Sequence, residues 1–180
     1  MHLDAHTDTY AGDGNREYMR FNVATTFTRA AEEGVIDAEA YIHVGARGSV
    51  ADRTVFEHTR SKGYTLIDGD EMFKDGFAVT AARLKDHLGD RSVYLCFDMD
   101  FFDPSCAPGV CTLTWGGTSA REGLGFLRSL AGLNIVSGDI NTVSPPHDLA
   151  GMTAFLASTV TLEILTLFCF AKDLAPSGDA

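Results

Sequence analysis

Five short apolar runs, each followed by helix-like sequence or a polar loop, constrain this chain more than any other feature. The runs are Met1 to Asp4, Ala40 to Val44, Tyr64 to Ile67, Val93 to Asp98 and Asn134 to Asp139. Helices are expected at Ala24 to Glu33, Val50 to Lys62, Phe77 to Leu88, Ser119 to Leu130 and Leu149 to Lys172. Strands alternating with helices pair in parallel, because each crossover helix returns the chain to the same end of the sheet. Gly34, Gly63, Gly89 and Gly132 follow helical segments, as left-handed C-terminal caps require, and Ser119 with Glu122 reads as a capping box. The expectation is an α/β fold with a mainly parallel sheet, in one domain spanning residues 1–180.

Charge narrows the possible partners. A net charge of -11 without any basic run argues against nucleic acid and anionic membranes, whose phosphates are held by clustered Lys and Arg. The apolar segment 151–171 is long enough to span hydrocarbon. Glu163 near its middle, its Thr and Ser content, and an ending at Lys172 and Asp173 without a positive flank instead predict a buried amphipathic helix. Cys96, Cys106, Cys111 and Cys169 have no pairing rhythm, and the first residues have no basic stretch before an apolar one. Free thiols and a cytoplasmic setting are expected.

In a parallel sheet, ligands gather at the carboxyl ends of the strands. The first run ends with Asp4, His6 and Asp8 at alternate positions, and the fourth with Asp98 and Asp100. Extended backbone places each set on one face. Four carboxylates and an imidazole in a crevice repel one another unless protons or cations neutralise them. Carboxylate-rich ligation with His suits a hard or borderline divalent ion such as Mn²⁺, and shared carboxylates favour two ions. Either segment alone is a weak signal; together they are much stronger. Asp103 before Pro104 reads as a turn residue, His43 on its apolar strand as a satisfied core histidine, and Arg47 as a partner for a carboxylate or a neighbouring subunit. Gly116 and Gly117 beside Trp115 read as backbone-shaping residues.

The segments DAHTD (4–8), CFDMDFFDPSCAPG (96–109) with TWGGTSARE (114–122), and GDINTVSPPHD (138–148) resemble, in this order, the signatures of the ureohydrolases, the arginase and agmatinase superfamily. The resemblance implies a three-layer α/β/α fold, two Mn²⁺ ions and hydrolysis of a linear guanidino or amidino compound to urea and an amine. It points to the agmatinase and guanidinobutyrase branch. It further implies that Asp4 and Asp98 bridge the ions, that Asp8 completes one side, and that His6 with Asp100 completes the other. Hydroxide held between the ions would attack the guanidino carbon, with Asp8 as a proton carrier. A small-molecule guanidino substrate and a homo-oligomer are likewise implied.

Three positions depart from the family pattern. The upstream Gly-Gly-Asp-His segment, whose His is the sixth ligand on the Asp8 side, has no counterpart, so the chain resembles the C-terminal part of a ureohydrolase. The His-Gly pair expected just before the helix that follows DAHTD is replaced by residues 21–27, where Asn22 and Thr25 are either substrate-orienting or helix-capping. The Glu that grips a guanidinium, three residues after Asp139, is Thr142 here. Asp139, Thr142, Asn22 and His147 are the expected substrate-binding residues, His147 because it lies in a rigid loop beside the site. A non-catalytic ureohydrolase remnant or partner subunit is the alternative. A haloacid-dehalogenase-like phosphatase built on Asp98 and Asp100 ranks last, because Phe101 and Phe102 stand where a small residue is needed.

Overall fold

The computed structural model describes residues 1–12 and 17–172; Asp173, part of the expected helix end, lies outside them. Five parallel strands, β1 (His2–Leu3), β2 (Ile42–Ala46), β3 (Thr65–Asp68), β4 (Val93–Asp98) and β5 (Ile135–Asn141), form one sheet in the order β3-β2-β1-β4-β5. The expected strands are all present, and β1 is lengthened at both ends by backbone bonds from Cys96 N–H to the Met1 carbonyl and from Asp4 N–H to the Val44 carbonyl. The chain builds outward from β1 to β3, then crosses back to lay β4 on the other side of β1. Such a reversal opens a crevice between the two central strands at their carboxyl ends. Asp4 and Asp98 stand there.

Register sorts the two faces. Leu3 lies opposite Val44 and Phe97, and these join Ile42, Ile67 and Leu95 in the apolar core. His2 lies opposite His43 and Cys96 on the other face, where the Phe27 ring sits 4.4 Å from His2 and 5.1 Å from Tyr41. Helices therefore cover both faces of the sheet, completing three layers. Helix α1 (Glu17–Arg20) precedes α2 (Thr26–Glu32), which carries Phe27, and α3 (Val55–Ser61) follows β2. The core side is built by α4 (Gly69–Asp75), α5 (Phe77–Leu88), α6 (Ala120–Ser129) and α7 (Met152–Ala171). Phe126 of α6 packs 6.1 Å from Phe101 and 5.9 Å from Phe77, and truncating such a buried ring to Ala costs about 3–5 kcal/mol.

Several boundaries differ from expectation for local reasons. Helix α3 starts at Val55 rather than Val50, because Asp52 accepts hydrogen bonds from both Thr54 N and Thr54 Oγ1 at 2.8 Å and holds a turn there. Helix α4 was not expected; Asp68 caps it by accepting from Glu71 N–H at 2.9 Å, an Asp-x-x-Glu signal present in the sequence. The Ser119–Glu122 box forms as expected, and Gly63 (φ 86°) and Gly132 (φ 99°) take the left-handed conformation.

The C-terminal helix is not the buried amphipathic element expected. It is long and apolar enough to cross a membrane by length and composition. Thr153, Leu156, Val160, Ile164 and Leu167 are buried on its inner side, while Phe155, Leu162, Leu165 and Phe170 are exposed. Glu163 is held by Arg128 of α6 through Nε at 3.0 Å and Nη2 at 2.5 Å.

Candidate metal centre

The loop leaving β1 gathers the expected ligands by short backbone bonds. His6 N–H donates to Asp4 Oδ1 at 2.5 Å, and Ala5 N–H donates to Asp100 Oδ1 at 2.9 Å, so the ends of β1 and β4 are tied together. Asp8 sits in the left-handed region at φ 51°, which turns the chain away after its carboxylate. At the end of β4 a single helical turn over Met99–Phe101 begins with Asp98 Oδ1 accepting from Asp100 N–H at 2.7 Å.

Donor atoms meet in two groups that share one residue. Asp4, His6 and Asp100 form the first, with His6 Nδ1 2.8 Å from Asp100 Oδ2 and 3.4 Å from Asp4 Oδ1. His2, Asp4 and Asp8 form the second, with His2 Nε2 2.8 Å from Asp4 Oδ2. His2 was absent from the expected ligands. Its place two residues before Asp4, on the same strand face, was the available signal. Asp98 lies in neither group; its Oδ1 also accepts from Thr142 Oγ1 at 2.5 Å.

The charges do not balance within the protein. Burial alone raises the Asp4 carboxyl, yet the adjoining His2 imidazole, with His6 and His43 nearby, holds it well below the usual carboxylate range. Burial opposes charge on His6, but its bonds to Asp100 and Asp4 carry it up to about 10. Burial and the Asp4 charge push Asp8 up to about 7. Burial, Asp4 and Asp100 push Asp98 up to about 10, and burial raises Asp100 against the pull of His6. Asp8 and Asp98 thus favour holding protons where a divalent cation would let them ionise. Oxygen and imidazole donors at these separations fit a hard or borderline divalent ion.

A second tier holds the first. Thr114 Oγ1 lies 3.2 Å from His6 Nε2, which leaves Nδ1 for the acid cluster. Arg47 bonds to backbone carbonyls rather than to a carboxylate, reaching Asp100 O at 2.7 Å, Thr114 O at 2.9 Å, and Phe102, Trp115 and Gly45 O at 3.3 Å. Asp103 is the expected turn residue, accepting from Ser105, Gly116 and Gly117 N–H. A Cβ on Gly117 would lie 2.6 Å from the Asp103 nitrogen, so the loop closes only with glycine. His43 differs from expectation: Nδ1 lies 3.0 Å from His2 Nδ1, but its buried Nε2 has no partner among the described residues.

The four expected substrate residues are not brought together. Thr142 touches Asp98. Asp139 pairs in register with Cys96, two residues short of the Asp98–Asn141 pair, and its carboxylate accepts from Tyr94 Oη at 2.5 Å. His147 is exposed, with Nδ1 2.7 Å from Ser144 Oγ. Asn22 caps the turn at Val23–Thr25, accepting from Ala24 N–H while Thr25 Oγ1 accepts from Asn22 N–H, and it lines a separate hollow with Tyr10, Met19 and Asp52.

Comparison with known proteins finds relatives over most of the chain. The model of the arginase family matches residues 1–167. An agmatinase of Proteus mirabilis is 36% identical over 167 residues, covering 93% of this chain and 50% of the relative. A mitochondrial guanidino acid hydrolase of Homo sapiens is 31% identical over 166 residues, covering 92% and 46%. The solved proclavaminate amidino hydrolase of Streptomyces clavuligerus superposes with a TM-score of 0.84 at 34% identity, covering 94% of this chain and 55% of that one. The chain spans about half the length of the curated relatives it matches.

Proposed function

This chain belongs to the arginase family, and on that premise we propose that it is a manganese-dependent hydrolase cleaving a C–N bond of a linear guanidino or amidino compound to urea and an amine. The observation that carries the reading is the shared carboxylate: Asp4 Oδ1 lies 3.4 Å from His6 Nδ1 and Oδ2 2.8 Å from His2 Nε2, and Asp4 belongs both to the group with His6 and Asp100 and to the group with His2 and Asp8. The names of the relatives, an agmatinase and hydrolases of guanidino acids and amidino compounds, support substrates resembling agmatine or guanidinobutyrate.

In this reading Asp4, His6, Asp8, Asp98 and Asp100 would hold two Mn²⁺ ions, which when bound would supply Lewis acidity toward water and toward developing negative charge. Asp8, ionised once the ions are bound, would take a proton and return it to the leaving amine. Thr142 orients Asp98, and His147, with Nδ1 held by Ser144, leaves Nε2 for substrate. The exposed apolar residues of α7 support a homo-oligomer.

The test is urea release from agmatine and 4-guanidinobutyrate by the Mn²⁺-loaded chain. Turnover that is lost on chelation and in Asp8→Ala is expected; no urea from any guanidino compound while ions are bound overturns the proposal. That outcome would establish a second reading, an ion-binding fold without turnover. One observation favours it: a hydroxyl at Thr142, turned to Asp98, stands where a guanidinium would want a carboxylate.

A further inference from the structure

We infer that His2 Nε2 is itself a metal donor, completing with Asp4 and Asp8 an ion position separate from the one at His6 and Asp100. This inference deepens the proposed function, and rests on it for the identity of the ion. His2 is buried, lies on the sheet face opposite the apolar core, and directs Nε2 to the oxygen of Asp4 that His6 does not use. Donors on one octahedral ion with bonds of about 2.2 Å stand about 3 Å apart when adjacent and about 4.4 Å when opposite. The 2.8 Å between His2 Nε2 and Asp4 Oδ2 equals that between His6 Nδ1 and Asp100 Oδ2, so both imidazoles make the same approach to a carboxylate. Donor atoms of His2, Asp4 and Asp8 all fall within 4.8 Å of one another, which admits one ion among them.

The far side of the His2 ring is built for this role. A ligating imidazole needs an acceptor for its other N–H, which fixes the tautomer. Around His2 Nδ1 stand the Tyr41 hydroxyl at 3.1 Å and His43 Nδ1 at 3.0 Å. With the His43 hydrogen on Nε2, its Nδ1 accepts from His2 Nδ1–H, and the Nε2 lone pair of His2 faces the acids. The opposite tautomer makes His2 Nε2–H a donor to Asp4 and reduces His2 to a positioning residue. The two arrangements differ in what glutamine can replace, since an amide N–H can still donate to Asp4 but makes a poor ligand.

The experiment is Mn²⁺ titration by calorimetry and elemental analysis of the wild-type chain, His2→Gln and Asp100→Ala. Two ions are expected in the wild type and one in each variant, with binding at the His2 position weakened beyond the about 10–100-fold that loss of an outer partner costs. Retention of two ions with unchanged affinity in His2→Gln overturns the inference, as does a wild type that binds fewer than two. Should His2→Gln not fold, pulsed electron paramagnetic resonance on the wild type labelled with [¹⁵N]histidine decides. Couplings from two imidazole nitrogens are expected, and one alone overturns it. Two ions without urea release would remove the proposed function and leave this inference standing, whereas urea release with two ions held at unchanged affinity in His2→Gln would do the reverse.

Discussion

The Thr142 hydroxyl donates to Asp98 Oδ1 across 2.5 Å from a residue held in the left-handed region at φ 63°. A β-branched side chain there costs about 1–3 kcal/mol of backbone strain. The bond to Asp98 offsets that strain and fixes the carboxylate between the ends of β1 and β4. Thr142→Val keeps the strain and removes the bond, whereas Thr142→Gly relieves the first as it loses the second. At about 2–4 °C per kcal/mol for a chain of this size, Thr142→Val is expected to melt about 4–8 °C lower and Thr142→Gly within about 3 °C of the parent. Equal melting of the valine variant and the wild type by calorimetry would show that the hydroxyl holds nothing.

Arg47 is the keystone of the loop that faces the metal centre. Its guanidinium gathers carbonyls of Asp100, Phe102, Thr114 and Trp115, and Thr114 in turn contacts His6. Lysine supplies the charge but not the planar fork. Arg47→Lys is expected to lower melting by about 5 °C and weaken Mn²⁺ binding about tenfold, through misplaced Asp100 and His6 rather than lost charge. Unchanged affinity in a metal titration would count against that coupling.

Asp4 serves both ion positions, so its loss should differ in kind from the loss of any other ligand. Asp4→Asn preserves the shape and removes the shared charge between His2 and His6. The expected result is a folded chain that binds essentially no Mn²⁺, in contrast to the single ion expected in Asp100→Ala. Elemental analysis beside far-ultraviolet circular dichroism checks it, and one tightly held ion in Asp4→Asn would mean the two positions do not share this carboxylate.

The acids of the centre were legible from their spacing at the ends of two apolar runs, although a loop after β1 and a helical turn after β4, rather than extended strand, bring them together. All five strands were legible as apolar runs. Relations set by register were not: that His2 faces His43 and Cys96 follows only once β1 is laid between β2 and β4. Asp139 reads as a site residue by its order in the sequence, yet its pairing with Cys96 sets it two residues short of Asp98. Arg47 reads as a charge seeking a carboxylate, whereas burial among carbonyls decides its role. The two sides of α7 could not be told apart because both are apolar, and only packing against the sheet and α6 selects one.

Chelation should invert the pH dependence of stability. In the ion-free chain the carboxyls of Asp8 and Asp98 are raised to about 7 and about 10. A carboxyl raised on folding binds its proton more tightly in the folded state, so its contribution is complete below the ordinary value near 4 and is lost as pH climbs through the raised one. His6, raised to about 10, acts in the same direction, with its contribution complete below the usual imidazole range and lost toward pH 10. Asp4 is depressed and opposes them only in acid, losing its contribution as pH falls below the usual carboxylate range. Between about pH 5 and 9 in chelator, melting temperature is therefore expected to fall as pH rises. With saturating Mn²⁺, binding requires those same carboxyls to ionise, so affinity and stabilisation grow with pH and melting should rise over the same interval. Thermal scans in EDTA and in Mn²⁺ check both slopes, and parallel curves would mean that the acid cluster and the ion site are not the same groups.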